Sequence, residues 1–422
     1  MKNLGLYIHI PFCVKKCDYC DFISYCDKNE LVEKYINALK NEIKISLGEI
    51  DKSDYKISTI YIGGGTPTSI DSKHIVDILN TIRESVEKNI DHVEKECRGR
   101  TLGRPDTIKE YRSYNVLNNY NTEITIEINP GTITKEKLLD YKTAGINRLS
   151  IGLQETNNEL LKEIGRIHTY EEFLEAYNLA RQVGFKNINV DLMIGLPNQR
   201  ISDIKNSLNK IINLNPEHIS VYSLILEEGT KLYKRYEENK VELPDEELER
   251  NMYWYVKNIL ENNGYIHYEI SNFSKEGYES KHNISCWKQE EYMGFGVAAH
   301  SYIDGTRYSN TESLEKYLNS LEESEKVNVG IALLGDPKKQ KKIHEKQNIQ
   351  DMQKEYMLLG LRKIEGISVQ EFKNKFGENP IFLFRNELNK LVEENLIEVD
   401  VDTIKLTNKG LDLANLVWEE FI

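Results

Sequence analysis

The chain has 422 residues, of which 39% are hydrophobic, and this is enough for a sizeable buried core. Its formal net charge of -13 speaks against electrostatic binding to nucleic acid. No stretch approaches the roughly 20 apolar residues of a membrane-spanning helix, and the first residues lack the pattern of a secretory signal peptide. We therefore expect a cytoplasmic protein, in which cysteines stay reduced.

Short β-branched runs alternate with longer helical runs along the first half of the chain. Gly145, Gly184 and Gly264 each stand between a helical run and the next strand, where a left-handed residue ends a helix. Strands that are each followed by a helix favour a parallel sheet with right-handed crossovers. A full barrel of this kind has eight strands, and this chain shows six. We predict an α/β fold, an incomplete (βα)6 barrel, with strands at Leu4–Ile10, Ile57–Ile62, Glu123–Ile128, Arg148–Leu153, Asn187–Ile194 and His218–Ile225.

Two segments interrupt or follow this pattern. Residues 88–121 are polar and weakly periodic, which indicates an insertion between the second helix and the third strand. The barrel and the segment after it are predicted to span residues 1–310, and a lysine-rich linker to span 311–349. Residues 350–422 read as helix, helix and hairpin, with a capping box at Ser368, and predict a small helical, winged-helix-like C-terminal domain.

Unusual residues stand at the ends of the predicted strands, where parallel barrels carry their chemistry. Cys13, Cys17 and Cys20 follow the first strand with the spacing C-x3-C-x2-C. Core thiols, disulfides and zinc are the alternatives, but zinc sites usually take two separated pairs of ligands. Three thiolates on one loop suit three irons of a [4Fe–4S] cluster and leave the fourth iron open. Cys26 is expected to be a free thiol, and Cys97 has no partner at ligand spacing.

The stretch CVKKCDYC after the first strand and the turn GGGTPT after the second resemble the radical S-adenosylmethionine (SAM) superfamily. The resemblance implies that the open iron binds the amino and carboxylate groups of SAM. An electron from the cluster then cleaves SAM to a 5′-deoxyadenosyl radical. Consecutive glycines would let the cofactor approach the backbone closely.

Further stretches, among them YIHIPFC, IEINPGT, RLSIGLQ and GFGVAAHSY, resemble the coproporphyrinogen-oxidase-like subfamily. Carboxylates at strand ends can accept hydrogen bonds from ribose hydroxyls or an ammonium group, and an arginine can pair with a carboxylate. Matched position by position, the resemblance implies SAM contacts at Tyr7, Gly64, Gly65, Thr66, Glu127, Gln154, Arg166 and Asp191.

Two places separate the branches of this subfamily, which are coproporphyrinogen III dehydrogenases and haem chaperones. The dehydrogenases have a further cysteine two residues after the third ligand, where this chain has Phe22. The chaperones carry an HNxxYW motif, and this chain reads HNISCW. The resemblance therefore implies haem contacts at His282, Asn283, Cys286 and Trp287. Either histidine or a thiolate can ligate haem iron, and tryptophan can stack on a porphyrin.

The preferred function is that of a haem chaperone with a [4Fe–4S] cluster and SAM. It would bind haem and deliver it to a respiratory haem protein, with peripheral contact to membrane proteins and none to nucleic acid. The alternative is an oxygen-independent coproporphyrinogen III dehydrogenase of porphyrin biosynthesis, which would oxidatively decarboxylate two propionates to vinyl groups. A non-catalytic iron–sulfur scaffold that only binds partners is the third hypothesis.

Overall fold

A large open sheet forms the N-terminal part of the protein. The computed structural model describes residues 1–50, 54–87, 121–319 and 342–422. The sheet strands in this part of the chain are β1 (Lys2–Ile10), β2 (Tyr55–Gly64), β3 (Glu123–Ile128), β4 (Arg148–Gln154), β5 (Ile188–Ile194), β6 (His218–Ser223), β7 (Ile266–Glu269), β8 (Asn272–Ser274), β9 (Glu291–Phe295), β10 (His300–Ile303), β11 (Thr306–Ser309) and β12 (Lys342–Lys346).

Strands β1 to β6 lie side by side in chain order and pair in parallel, which confirms the predicted (βα) series. Gly145, Gly184 and Gly264 have φ angles of 87°, 94° and 81°, so the predicted left-handed helix ends are confirmed. The helices of this part of the chain are α1 (Val32–Glu49), α2 (Ser72–Glu87), α3 (Lys135–Thr143), α4 (Asn158–Glu163), α5 (Tyr170–Val183), α6 (Ile201–Leu214), α7 (Lys231–Glu237), α8 (Glu246–Asn262) and α9 (Lys281–Trp287).

The six parallel strands are apolar on one face and polar on the other. In β4, Leu149 and Ile151 belong to the main hydrophobic core, whereas Ser150, Gly152 and Gln154 line a cavity on the inner face. This period of two follows from the alternating direction of side chains along a strand. Contacts across the inner face join Tyr7 to Tyr61, Thr59 to His282, Ser150 to Asn189, and Asn189 to both His218 and Ser220.

The sheet extends beyond the six predicted strands on both sides. Strand β9 pairs in parallel with β1, and β10, β11 and β12 continue from it in antiparallel fashion. On the other side, β8 pairs antiparallel with β6 and with β7. The sequence predicted a strand after Gly264, which is β7. It did not reveal β8 to β12, because each of these strands is only three to five residues long.

The C-terminal part has a hydrophobic core of its own, which includes Phe372, Leu388 and Val417. Its three-stranded antiparallel sheet and surrounding helices agree with the predicted winged-helix-like module. Ser368 caps α11 by accepting from the backbone N–H of Glu371 at 3.3 Å. The elements are α10 (Ile349–Gly360), β13 (Ile367–Ser368), α11 (Val369–Phe376), α12 (Pro380–Leu383), α13 (Arg385–Glu393), β14 (Ile397–Val399), β15 (Thr403–Leu406), α14 (Asn408–Asp412) and α15 (Ala414–Glu419).

The predicted insertion lies outside the described residues except for Asn121, and Cys97 lies outside them too. Within the predicted linker 311–349, β12 is a strand of the large sheet, and Leu314 and Tyr317 pack into the main core. The domain boundaries therefore stay a prediction. None of the helices in the described ranges combines the length and apolarity needed to cross a membrane.

Candidate functional site

A cavity of about 410 Å³ opens at the C-terminal ends of the parallel strands, as expected for the functional end of such a sheet. It brings together all three predicted cluster ligands and seven of the eight predicted SAM contacts. The predicted residues that line it are Cys13, Cys17, Cys20, Gly64, Gly65, Thr66, Glu127, Gln154, Arg166 and Asp191.

The cysteine loop is held to the end of β1 by backbone hydrogen bonds. The N–H of Cys13 donates to the carbonyl of Tyr25 at 3.0 Å, and the N–H of Tyr25 donates to the carbonyl of Pro11 at 2.6 Å. His9 reaches the same loop, with Nε2 at 2.9 Å from the carbonyl oxygen of Ile23. Hydrogen bonds within the protein thus close the loop on itself.

Two of the three thiols have side-chain donors suited to anionic sulfur. The Thr66 hydroxyl donates to Cys13 Sγ at 3.6 Å, and the Arg166 guanidinium donates to Cys17 Sγ at 3.5 Å. Burial nevertheless raises the pKa of Cys13, and it raises the pKa of Cys20 to about 11. Without a bound cation these two thiols stay protonated at neutral pH, so metal binding would release their protons.

The donor set fits a cluster better than a single ion. In the described ranges, no group of three or more His, Cys, Asp or Glu side chains is arranged to hold one metal ion. The thiols of Cys13, Cys17 and Cys20 nevertheless line one cavity. Ligands that each bind a separate iron need not converge on one point, and this is how cysteines hold a [4Fe–4S] cluster.

The glycine turn is required by the protein's own packing. Gly64 has a φ of 113°, and a Cβ there would lie 2.5 Å from Nδ1 of His9. A Cβ on Gly65 would lie 2.9 Å from Cys13 Sγ and equally close to the carbonyl oxygen of Phe12. A side chain at position 64 or 65 would therefore disturb the cysteine loop, in addition to narrowing the cavity.

Two buried carboxyl groups stand on the cavity wall. Glu127 accepts from the Tyr61 hydroxyl at 2.8 Å and from the N–H of Gly64 at 3.1 Å. Burial raises the pKa of Glu127 to about 7 despite these hydrogen bonds. Asp191 accepts from the Asn189 amide at 2.7 Å, and burial also raises its pKa. Both groups are poorly solvated acceptors, which a ligand with several donors would satisfy.

Gln154 and Arg166 lie together at the end of β4. Gln154 has a φ of 71°, next to a register irregularity between Gly152 and Gln154. Such irregularities re-aim side chains beside functional sites. Arg166 donates to the carbonyl of Gly152 at 2.7 Å, and its Nε is buried without a partner among the described residues. The guanidinium thus keeps a free donor in a buried place.

Tyr7 is the predicted SAM contact that does not line the cavity. Its hydroxyl lies 3.0 Å from Nδ1 of His9, and its ring stacks on Tyr61 at a centroid distance of 6.3 Å. Tyr61, Ser150 and Tyr222 line the cavity but were missed. The signal that could have found them is the polar alternation along the strands, since each lies at an even spacing from an inner-face residue.

The predicted haem residues lie on α9, near the N-terminal ends of the strands. His282 is buried, with Nδ1 at 2.9 Å from the Thr59 hydroxyl oxygen and its ring stacked on Tyr61 at 5.1 Å. Burial and the nearby Arg148 guanidinium lower the pKa of His282 to about 4. The N–H of Asn283 donates to the Ser280 hydroxyl, which caps the helix.

The other two haem candidates are Cys286 and Trp287, and Trp287 packs against the C-terminal part of the protein. Cys286 is half-buried, and burial raises the pKa of its thiol to about 11. The Arg362 guanidinium stacks on Trp287 at 4.4 Å and on Trp418 at 5.1 Å. Lys375 donates to the carbonyl of Gln289, just beyond the helix, at 3.0 Å. The helix is therefore packed on both sides, unlike the open cavity.

The family comparisons agree with this geometry. Residues 7–211 match the model of the radical SAM superfamily, and residues 350–413 match that of the HemN C-terminal domain. A solved structure described as coproporphyrinogen III oxidase (HemN) from Escherichia coli, a radical SAM enzyme, has a TM-score of 0.76 and 22% identity. The match covers 100% of this chain and 90% of that one, and it confirms the fold. Fold and site together define a radical SAM protein, a class whose members bind a [4Fe–4S] cluster and SAM.

Curated relatives narrow the class. The chain is 36% identical to the haem chaperone HemW of Bacillus subtilis over 99% of this chain and 98% of that protein. It is 31% identical to HemW of Haemophilus influenzae over 100% and 98% of the two chains. With HemW of Escherichia coli the identity is 34%, over 72% of this chain and 71% of that protein. The chain belongs to the HemW family.

Proposed function

We propose that this protein is a haem chaperone, which binds haem and passes it to a haem-accepting respiratory protein. The observation that carries the proposal is its full-length similarity to curated haem chaperones. Phe22 supports it, because this residue stands where the dehydrogenase branch has its additional cysteine. The side chain of Phe22 is 62% exposed at the edge of the cofactor cavity.

His282 is the better candidate for the iron ligand. With a pKa of about 4 its imidazole is neutral at physiological pH, which is the form that binds metals. The half-buried Cys286 thiol, with a pKa of about 11, would first have to lose a proton. Because His282 and Trp287 are both packed against other side chains, haem binding at α9 requires local rearrangement.

The cavity at the strand ends would hold the cluster and SAM. Cys13, Cys17 and Cys20 would ligate three irons, and the open iron would supply electron transfer to SAM when both are bound. Glu127 and Asp191 would accept hydrogen bonds from SAM, while Gly64 and Gly65 keep the backbone accessible. In a chaperone we assign this pair of cofactors a regulatory role.

The dehydrogenase remains the second candidate because all predicted SAM contacts except Tyr7 line the cavity. One experiment separates the two functions. Anaerobically reconstituted protein with SAM and a reductant is offered haem and coproporphyrinogen III separately. We expect about one haem per chain, with a Soret band, and no protoporphyrinogen. Conversion of coproporphyrinogen III without stoichiometric haem binding would establish the dehydrogenase instead.

Variants of α9 test the haem site directly. His282→Ala should shift the Soret band because loss of an axial ligand changes the iron spin state. His300→Ala, at an exposed histidine on β10, is the matched control and should leave the band unchanged. Cys286→Tyr restores the motif residue and should preserve binding. A thiolate-type spectrum that disappears in Cys286→Tyr would make Cys286 the ligand.

A further inference from the structure

The inner face of the sheet connects the cofactor cavity with the haem motif helix. Tyr61 lines the cavity, and its hydroxyl donates to Oε1 of Glu127 at 2.8 Å. The ring of the same tyrosine stacks on His282, with an interplanar angle of 25°. In the described part of the chain, one side chain therefore touches a proposed SAM contact and a proposed haem ligand at once.

A second hydrogen-bonded path joins the same two places. Asn189 donates to Asp191 at 2.7 Å and its amide oxygen lies 2.6 Å from His218 Nδ1. His218 Nε2 lies 2.7 Å from the Tyr268 hydroxyl, which accepts from the N–H of Ser280 at 3.2 Å. Ser280 is the cap of α9, so this path starts at the other proposed SAM carboxylate and ends at the same helix.

The hydrogen bonds of Glu127 indicate which of its contacts would be weakened by a bound ligand. One carboxylate oxygen accepts from Tyr61 and the other from the backbone N–H of Gly64. A SAM hydroxyl or ammonium that donates to Glu127 would share these oxygens with the two donors and weaken their hydrogen bonds. The backbone donor is fixed by β2, whereas the position of the tyrosine hydroxyl depends on a side chain whose ring is stacked on Tyr7 and His282. Loss of this bond would loosen the ring that is packed against His282.

We propose that Tyr61 is a positioning residue that couples SAM binding to α9, so that SAM in the cavity loosens the helix and strengthens haem binding at His282. The haem half of this statement rests on the proposed function. Coupling between two sites is reciprocal, so haem should strengthen SAM binding by the same factor. We expect a factor of about fivefold or more, the range of ordinary coupled sites.

The first measurement needs no haem. Amide hydrogen exchange in residues 281–287 is followed in the reconstituted protein with and without saturating SAM. SAM should accelerate exchange about fivefold or more in the wild type, and less than about twofold in Tyr61→Phe, which keeps the ring but loses the hydroxyl. Tyr265→Phe is the matched control, because that buried hydroxyl donates to the carbonyl of Pro216, away from both sites.

The second measurement is the haem dissociation constant with and without SAM in the same three proteins. Equal exchange of α9 with and without bound SAM in the wild type would overturn the inference, even if haem binds. So would a coupling factor in Tyr61→Phe equal to that of the wild type. A response of α9 to SAM in a protein that binds no haem would instead refute the chaperone function and leave the coupling standing.

Discussion

The cofactor cavity and helix α9 lie at opposite ends of the same parallel strands, and they are prepared for their ligands in different ways. The cavity is open, and its cysteines, glycines and carboxyl groups stand around one space. Helix α9 is covered, with His282 stacked inside the barrel and Trp287 beneath Arg362. The cavity can receive ligands with little movement, whereas α9 must first be released. This contrast suggests that the cluster and SAM can stay bound to the protein, whereas haem binds only after α9 has moved.

Removal of a cluster ligand should have the largest effect on the cavity. Cys13→Ala, Cys17→Ala and Cys20→Ala should each abolish cluster assembly, because a cluster needs all three thiolates. Anaerobic reconstitution followed by iron analysis should give about four irons per chain in the wild type and almost none in each variant. Cys26→Ala is the control on the same loop and should keep its iron. If Cys26→Ala loses its iron while one of the other three variants keeps it, the ligand assignment is wrong.

The next effect concerns the glycine turn. Gly65→Ala should impair cluster assembly because the added methyl group meets Cys13 Sγ and backbone carbonyl oxygens. We expect at most about half of the wild-type iron content, since backbone neighbours in a closed loop yield little. Gly131→Ala is matched to it, as a Cβ at that glycine meets nothing within 4 Å. Equal iron content in the two variants would show that the turn tolerates a side chain.

A smaller effect is expected from the buried carboxyl group on the cavity wall. Glu127→Gln should weaken SAM binding about 10- to 100-fold, the cost of losing a hydrogen bond to a charged group. Isothermal titration of the reconstituted protein measures this change. Gln has nearly the same shape, so cluster content should be unaffected. Unchanged SAM affinity would remove Glu127 from the cofactor site.

The same carboxyl group predicts a pH dependence. Its pKa is raised to about 7, so the free protein carries Glu127 mostly protonated below that pH and mostly ionised above it. An ionised group is the better acceptor for SAM, so affinity should increase between about pH 6 and about pH 8. The raised pKa also means that the folded state gains a proton relative to the unfolded chain, so this group's contribution to stability decreases as the pH rises. In Glu127→Gln the pH slope of SAM affinity should disappear.

Much of the cavity could be predicted from the sequence because its residues stand in short motifs at strand ends. The cysteine spacing and the glycine turn are local signals, and parallel strands bring local signals to one edge. Tyr61 and Ser150 were missed because they lie within strands, where only the alternation of polar residues marks them. Strands β8 to β12 were missed because three to five residues are too few to show a clear alternating pattern.

The state of α9 could not be predicted from the motif HNISCW. The motif gives residue types that suit haem, but its burial depends on Thr59, Tyr61 and Arg362, which are distant in sequence. For the same reason the packing role of Gly64 could not be predicted from the sequence. The residue lies against His9, a contact that only the folded β1 and β2 create.

The smallest effect should come from removing a side chain that packs on the outer side of α9. Arg362 lies between the rings of Trp287 and Trp418, and such cation–ring contacts contribute roughly 0.5–2 kcal/mol. Arg362→Ala should therefore raise the haem association rate about twofold to tenfold, because less free energy is needed to expose Trp287. Stopped-flow absorbance at the Soret band measures this rate.

Arg250→Ala is the matched control for this variant, since Arg250 also joins the barrel to the C-terminal part, through Asp412, but does not touch α9. It should leave the rate unchanged. Faster haem binding in Arg362→Ala alone would show that the C-terminal part restrains the haem motif directly. Equal acceleration in both variants would mean that haem binding depends on general loosening between the two parts. A rate unaffected in both would place the barrier inside the barrel, at the stacked pair of Tyr61 and His282.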